Sequence, residues 1–248
     1  MRSTPRIGLL SAVPLEGRVI LRHLGKTKRR VSYGLVLYKG KIDSKSIVYI
    51  TPGIGKTNAS HGATTLIEKF SPSIIINFGV GGAYPSSCLK TGDIAVAEKE
   101  IYGDEGVLFK DGFEGVKTIG IPFLKKGRKK YFNEFPLDKR LREKALECST
   151  LVTRYSSPGI RIKSGPFLTL STTTGTLKRA VALERRFHAI CENMEGAAVA
   201  HICTHYGIPL VEIRGISNAV GNRDTKKWNV KLAAENCQEV VIEFLRRL

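Results

Sequence analysis

Two side chains able to bind a polar ligand stand close together in the last quarter of the chain. Glu195 opens a run of small residues that favours a helix, and Asn218 follows the short apolar segment after it. A carboxylate rarely faces close-packed alanine and glycine without a ligand, because burying an unpaired charge costs free energy. The spacing therefore predicts a site where Glu195 binds a polar small molecule and Asn218 contacts another part of it.

A third candidate, Glu16, follows the first predicted strand at the start of a helix. Alone, such an acid is usually an exposed residue that favours the positive end of the helix dipole. It becomes a functional candidate if it meets Glu195 and Asn218 in space. All three follow predicted strand ends, which is where ligands bind in α/β sheets.

Two glycine-rich segments allow the backbone to approach a ligand closely. Segment 52–57 resembles the end of a phosphate-binding loop, but Ile50 stands where that loop needs a glycine, which argues against a nucleotide triphosphatase. A structural turn and a ligand contact both remain open there. Segment 79–83 lacks the dinucleotide-binding spacing, because Tyr84 stands where the third glycine belongs. We expect its backbone N–H groups to bind a sugar or an anion.

The composition is that of a basic globular protein. The 248 residues include 40 Lys and Arg against 22 Asp and Glu, a net charge of +18, which raises the expectation of an anionic partner. The basic clusters at 26–30 and 125–130 lie in predicted loops without an aromatic platform for RNA. Charge runs are usually solvated surface, so we expect no nucleic-acid partner.

The cysteines and the hydropathy pattern favour a cytoplasmic protein. The five cysteines form no C-x-x-C pair, so we interpret them as small packing residues rather than disulfides or zinc ligands. The first apolar run is short and is followed by Pro14 and Glu16, unlike a signal peptide. No segment approaches the roughly 18 apolar residues of a membrane span.

Predicted strands and helices alternate along the chain, which indicates one α/β domain over residues 1–248 with a mixed, largely buried sheet flanked by helices. Segment 103–135, rich in Gly and Lys, is predicted to be mostly loop. The predicted strands are 7–12, 31–38, 46–51, 73–78, 92–102, 160–164, 167–171, 189–191 and 210–216. The predicted helices are 15–24, 58–70, 137–148, 175–187, 195–206 and 228–248.

Six short motifs resemble those of the nucleoside phosphorylase/nucleosidase superfamily, in the same order. The similarity is closest to its hydrolytic branch, which includes methylthioadenosine/S-adenosylhomocysteine nucleosidase and futalosine hydrolase. It spans nearly the whole chain, except for the basic stretch around 110–135. The motifs are 7–12 with Glu16, 53–56, 77–83, 92–94, 194–198 and 214–218.

The resemblance implies a central mixed sheet, usually a homodimer, and hydrolysis of the N-glycosidic bond between a purine and ribose, without a cofactor or a metal. By position, Glu16 corresponds to the carboxylate that activates water, and Glu195 to the one that binds the ribose hydroxyls. Arg214 is expected to orient the 216–218 turn. The substrate-binding set that the resemblance implies is Met194, Glu195, Asn218, Gly79, Val80, Gly81 and Arg214, and the catalytic set is Glu16, Asn218 and Glu195.

Asn218 departs from the adenine nucleosidases, which carry Asp at this position. The amide has two N–H donors on one nitrogen, which suit N7 and the 6-oxo group of hypoxanthine. An amide can also donate a hydrogen bond to adenine N7 and accept one from the adenine 6-amino group. It cannot, however, deliver a proton as an acid does. The departure therefore favours a hypoxanthine nucleoside such as futalosine, an intermediate on the route to menaquinone. Arg223 is a candidate for binding the carboxylate on its 5′ side.

Three alternatives stay open. The first is a methylthioadenosine/S-adenosylhomocysteine or aminodeoxyfutalosine nucleosidase. The second is a purine nucleoside phosphorylase, which the absence of arginine from residues 79–90 disfavours. The third is an inert nucleoside- or nucleic-acid-binding module, which the presence of both Glu16 and Glu195 argues against.

Overall fold

The computed structural model describes residues 6–155, 159–221 and 224–248 as alternating strands and helices. The strands are β1 (Arg6–Leu10), β2 (Gly25–Ser32), β3 (Leu35–Ile42), β4 (Lys45–Thr51), β5 (Ile74–Ala83), β6 (Ile94–Tyr102), β7 (Gly106–Phe109), β8 (Gly112–Gly115), β9 (Leu124–Lys126), β10 (Lys129–Tyr131), β11 (Glu134–Pro136), β12 (Ile162–Thr169), β13 (Cys191–Asn193) and β14 (Leu210–Ala219). The helices are α1 (Arg18–His23), α2 (Lys56–Phe70), α3 (Lys139–Tyr155), α4 (Leu177–Phe187), α5 (Gly196–Tyr206) and α6 (Val230–Arg247).

One large mixed sheet of ten strands runs through the centre of the molecule. Strands β5, β14, β6, β12 and β13 pair in a closed circuit, in which β14 is parallel to β5 and antiparallel to β6. From β5 the sheet continues through β1, β4 and β3 to β2 at the edge. The arrangement confirms the predicted α/β class with a central mixed sheet.

Helices cover both faces of the sheet. Helices α1, α3 and α6 share one buried apolar cluster with the sheet, and α2 and α5 share another. On the closing helix α6, Val240, Val241, Phe244 and Leu245 are fully buried, whereas Leu232 is exposed. In the part of the chain that the structure describes, no helix is long and apolar enough to cross a membrane.

Two predictions near the amino end are wrong. The predicted strand 31–38 is interrupted by a two-residue hairpin turn, Tyr33 and Gly34, both with positive φ, which is the geometry that best joins twisted antiparallel strands. The basic segment 26–30 was predicted to be a loop, but it lies in the exposed edge strand β2. Charged residues there oppose pairing of this edge with another chain.

The glycine-rich segment 79–83 continues β5 and is not the loop that the sequence predicted. It pairs with β14 on one side, and its last two residues pair with β13 on the other. A Cβ on Gly81 would lie 2.5 Å from Cys191 Sγ, so glycine is required by close packing of strands. Strand β14 likewise runs past Ile216 to Ala219, so no turn exists at 216–218.

The remaining differences are local. The predicted strands 160–164 and 167–171 form one strand, β12, with a register shift between Gly165 and Pro166. Segment 103–135 contains two small hairpins, β7–β8 and β9–β10, the second of which holds the basic cluster 125–130. All five cysteines are free, and four are buried as predicted, whereas Cys88 is exposed.

Candidate active site

A cavity of about 380 Å³ lies at the carboxyl ends of β1, β5, β13 and β14. It brings together all three residues predicted to be catalytic, which come from distant parts of the chain. Its lining residues are Ala12, Val13, Glu16, Ile54, Val80, Gly81, Gly82, Thr173, Thr174, Glu192, Asn193, Met194, Glu195, Ser217, Asn218, Val220, Trp228 and Val230.

Glu16 lies in a short 3₁₀ turn directly after β1, and only 3% of it is exposed. Its Oε1 accepts the Val80 N–H at 2.8 Å, and its Oε2 accepts the Val13 N–H at 3.0 Å. Burial raises the pKa of Glu16, while the nearby Arg214 charge and the two backbone donors oppose that rise. The carboxyl group is therefore held rigidly, with a proton affinity suited to acid–base chemistry.

Glu195 caps the start of α5 and is also buried. Its Oε1 accepts the Gly55 N–H at 3.0 Å, and its Oε2 lies 3.3 Å from the Met194 nitrogen and 3.6 Å from Arg214 Nη1. These contacts fix its position relative to the β4–α2 loop. The Gly55 contact gives segment 52–57 a structural role, and Ile54 of the same segment lines the cavity.

Arg214 is the largest fully buried side chain among the described residues. Its Nε and Nη2 lie 2.9 Å and 2.8 Å from Glu212 Oε1, and its Nη1 donates to the Val80 carbonyl at 3.2 Å. Burial alone lowers an arginine pKa, but the surrounding carboxylates raise that of Arg214, Glu212 most strongly. A single permanent cation thus lies among the buried acids.

Asn218 stands near the end of β14, opposite Gly82 of β5. The Ser217 hydroxyl donates to its Oδ1 at 2.7 Å, and its Nδ2 donates to the Ala219 carbonyl at 3.0 Å. The Ala219 carbonyl can only accept, so this contact fixes which end of the amide is nitrogen. Because an amide nitrogen carries two hydrogens, one N–H donor remains for a ligand, whereas the sequence predicted two, for N7 and the 6-oxo group of hypoxanthine.

Two residues predicted to bind substrate lie behind the cavity wall. A Cβ on Gly79 would lie 2.4 Å from Glu16 Oε1, so this glycine makes room for the acid. Arg214 holds Glu212 and the Val80 carbonyl and does not orient a turn. The other predicted contacts, Met194, Val80 and Gly81, line the cavity, and Arg223 lies outside the described residues.

The sequence reasoning missed Glu192. It accepts hydrogen bonds from Tyr84 Oη at 2.8 Å, from the Thr174 N–H at 2.8 Å and from Thr174 Oγ1 at 2.6 Å. These bonds hold the segment after β12 against the cavity. An acid inside a three-residue buried strand was the available signal, because such a group needs donors.

Comparisons with known proteins identify the family of this chain. The sequence profile of the Phosphorylase superfamily matches residues 6–246. The chain is 33% identical over 213 residues to a futalosine hydrolase of Thermus thermophilus, covering 86% of this chain and 87% of that protein. It is 29% identical to a 5′-methylthioadenosine/S-adenosylhomocysteine nucleosidase of Halalkalibacterium halodurans, covering 98% and 99%.

A solved structure has the same fold. The native futalosine hydrolase of Helicobacter pylori superposes with a TM-score of 0.84 at 22% identity, covering 100% of both chains. The fold of this chain is thus also the fold of a solved hydrolase. The chain belongs to the Phosphorylase superfamily and is an N-glycosyl hydrolase.

Proposed function

We propose that the protein hydrolyses the N-glycosidic bond of a 6-oxopurine nucleoside, with futalosine as substrate and hypoxanthine as the released base. The observation that carries the proposal is the cavity shared by two buried carboxylates, Glu16 and Glu195, and the amide of Asn218. The 33% identity to a futalosine hydrolase supports the choice of substrate.

Glu16 acts as the general base in this proposal. The departing purine leaves an oxocarbenium-like sugar, which water attacks, and a carboxylate accepts the proton that the water loses. Burial raises the proton affinity of Glu16, and its two backbone contacts hold it still. General base catalysis of this kind contributes roughly 10²–10⁴-fold to a rate.

Glu195 binds the ribose hydroxyls, and Met194 lies against the sugar. Each Glu195 oxygen keeps a lone pair for a hydroxyl donor in addition to its backbone contact. Its negative charge also stabilises the positive charge that develops on the sugar in the transition state. The backbone of Val80 and Gly81 forms the neighbouring wall.

Asn218 reads the base. The Ser217 hydroxyl and the Ala219 carbonyl fix the amide so that an N–H group remains for N7 or the 6-oxo oxygen. An amide assists departure by hydrogen bonding but supplies no acidic proton. A 6-oxopurine leaves more readily under those conditions than adenine does.

An adenine nucleosidase is the second candidate, because the relative from Halalkalibacterium halodurans matches over 98% of this chain. Its substrates would be methylthioadenosine, S-adenosylhomocysteine or aminodeoxyfutalosine. The amide at 218 weighs against it, since adenine departure gains most from an acid at N7.

One incubation series separates the candidates. The protein is given futalosine, aminodeoxyfutalosine, methylthioadenosine and inosine, each with and without phosphate, and the free base is quantified by chromatography. We expect hypoxanthine from futalosine without phosphate. Release of adenine alone would contradict the futalosine proposal, and a requirement for phosphate would identify a phosphorylase.

The domain organisation, oligomeric state, location and metabolic role of the protein belong to the same proposal. We propose that the chain is a single nucleosidase domain over residues 1–248, acts as a cytoplasmic homodimer and supplies an intermediate for menaquinone synthesis. The superfamily profile over residues 6–246 supports the single domain. The exposed apolar residues of the β7–β8 region support the dimer.

A further inference from the structure

Two carboxyl groups outside the cavity are completely buried behind it. Glu100 of β6 and Glu212 of β14 are both 0% exposed, and neither lines the cavity. A Cβ on Gly196 would lie 2.0 Å from Glu100 Oε1 and 2.6 Å from Glu212 Oε1, so both groups crowd the first turn of α5. Two adjacent buried acids cannot both carry a charge without a large cost in free energy.

Glu212 is the charged member of the pair. Its Oε1 lies 2.9 Å from Arg214 Nε and 2.8 Å from Arg214 Nη2, which is an ion pair at hydrogen-bond distance. The permanent charge of the guanidinium favours the carboxylate form of Glu212. This leaves Glu100 as the member of the pair that carries a proton and no charge.

The contacts around Thr169 provide an acceptor for a proton on Glu100. Thr169 Oγ1 lies 2.7 Å from Glu100 Oε2 and 3.0 Å from Asn193 Oδ1, and it also accepts the Ala197 N–H at 2.8 Å. A hydroxyl has one hydrogen, so it cannot donate to both oxygens. Both short contacts are satisfied if Glu100 donates to Thr169 and Thr169 donates to Asn193.

The chain of hydrogen bonds ends at the ribose-binding residue of the proposed reaction. Asn193 Oδ1 accepts the N–H groups of Glu195 at 2.9 Å and of Gly196 at 2.7 Å. Asn193 Nδ2 donates back to Glu100 Oε1 at 2.7 Å, which closes the network. The amide orientation of Asn193 is thereby fixed, and with it the backbone on which the Glu195 carboxylate stands.

We propose that Glu100 is a positioning residue of the proposed nucleosidase reaction, which keeps a proton in the working enzyme and uses it, through Thr169 and Asn193, to hold Glu195 against the ribose. The inference rests on the proposed function for its effect on turnover. The proton itself is a property of the folded protein and is measurable without a substrate.

The charged and titratable groups around Glu100 agree with this assignment. Burial and the Glu212 charge from β14 raise the pKa of Glu100 well above its ordinary value, while its contacts with Thr169 and Asn193 and the Arg214 charge oppose that rise. Cys191 on β13 and Tyr102 on β6 also face this region, and burial raises the pKa of both. On helix α5, Gly196 lies against the Glu100 and Glu212 carboxyl groups.

The first test is the pH profile of kcat/KM for wild type, Glu100→Gln and Glu100→Met. At high pH the wild type loses the Glu100 proton. The hydrogen bond from Glu100 to Thr169 is then lost, so activity falls. Glutamine keeps a donor towards Thr169 and an acceptor for Asn193 but cannot titrate, so E100Q should retain activity within about 3-fold and lose that alkaline fall. Methionine has no donor and should raise KM about 10-fold or more, equivalent to ~1.4 kcal/mol.

Glu98→Gln is the matched control, because Glu98 lies on the same strand, is 42% exposed and has no contact with this network. It should keep the wild-type alkaline fall. An unchanged alkaline fall in E100Q, or an equal KM in E100M and E100Q, would overturn the inference. Thermal unfolding of each variant shows whether a loss of activity reflects loss of the fold.

The second test requires no activity. The infrared difference spectrum of wild type minus E100Q at neutral pH should contain the C=O stretching band of a neutral carboxyl group, shifted in D₂O. Absence of that band means that Glu100 is ionised and overturns the inference. If the wild type hydrolyses none of the nucleosides, the proposed function fails while this band still decides where the proton lies.

Discussion

The two cavity carboxylates share one cation, and this sets their electrostatic environment. Arg214 Nη1 lies 3.6 Å from Glu195 Oε2, and its charge also opposes the rise in the pKa of Glu16. Because Arg214 is itself neutralised by Glu212, the cavity keeps a net negative potential. Such a potential favours a transition state in which the sugar becomes positive.

At acidic pH, the dependence of kcat/KM on pH should reflect the ionisation of Glu16. A general base works only when ionised, and burial raises the Glu16 pKa above its ordinary value of 4.5. Activity should therefore fall as the pH drops through the raised pKa, at a pH higher than for an exposed glutamate. The measurement is kcat/KM against pH for the wild type, and a profile flat down to pH 4.5 would contradict the role of Glu16.

Replacing the ribose-binding acid should remove most activity. Glu195→Gln keeps the size of the side chain but removes the charge that stabilises the oxocarbenium-like sugar, so kcat should fall roughly 10²-fold or more. Glu143→Gln is the control, since Glu143 is exposed on α3 and pairs only weakly with Lys139. Near-normal turnover of the Glu195 variant would show that the site lies elsewhere.

Changing the base-reading amide to an acid should change the preferred purine. Asn218→Asp provides a proton for N7 and an acceptor for the adenine amino group, so the ratio of kcat/KM for adenine over hypoxanthine nucleosides should rise about 10-fold or more. The ratio is measured with aminodeoxyfutalosine and futalosine, which allows a direct comparison. An unchanged ratio means that Asn218 does not read the base.

The site could be predicted only where its residues stand near strand ends. Glu16, Asn218 and Glu195 are polar residues at such positions, and the structure brings all three to one cavity. Glu100 and Glu212 could not be assigned, because each lies inside a predicted strand and the two acids meet only in the folded sheet. Their role depends on a register that no local pattern encodes.

At the scale of the elements, long apolar runs were predictable and glycine-rich ones were not. Helices α2 and α5 and strand β6 begin within two residues of their predicted starts and end as predicted. Segment 79–83 was misassigned because glycine usually ends a strand, whereas here it allows β5 to lie close to β13 and β14. The pairing partners come from the far end of the chain, so the sequence pattern around 79–83 did not reveal them.

The contact between β14 and α6 is a similar close approach and gives a stability prediction. A Cβ on Gly215 would lie 1.9 Å from the Ala233 carbonyl oxygen, so Gly215→Ala must displace α6. Overpacking of this kind costs about 1–3 kcal/mol. Chemical denaturation measures the free energy of unfolding of this variant against wild type.

Gly25→Ala is the control for that prediction. A Cβ at Gly25 would meet nothing closer than the Lys41 carbonyl oxygen at 3.7 Å, so the change should stay within about 0.5 kcal/mol. Equal stability of the two variants would mean that α6 shifts without cost and that β14 does not depend on it.

At the scale of the whole molecule, the surface carries a basic edge strand and a group of exposed apolar side chains. The basic residues of β2 form an exposed edge of the sheet. Four exposed apolar residues lie elsewhere. Leu108 and Phe109 belong to β7 and are 82% and 48% exposed, and Ile119 and Ile121 lie in and just after the 3₁₀ turn that follows β8 and are 51% and 71% exposed. Apolar side chains clustered on a surface commonly mark a protein interface.

The proposed homodimer should depend on this apolar surface. A second copy that covers Leu108 and Ile121 removes both from water, so Leu108→Asp with Ile121→Asp should raise the dimer dissociation constant about 10-fold or more, at ~1.4 kcal/mol or more. Sedimentation equilibrium measures that constant.

Val31→Asp is the matched control, because Val31 is 62% exposed but lies on the basic edge strand. If both variants dimerise as the wild type does, the two copies meet through another surface. If only the Val31 variant dissociates, the edge strand forms the interface, where the repulsion between two rows of like charge would have to be overcome.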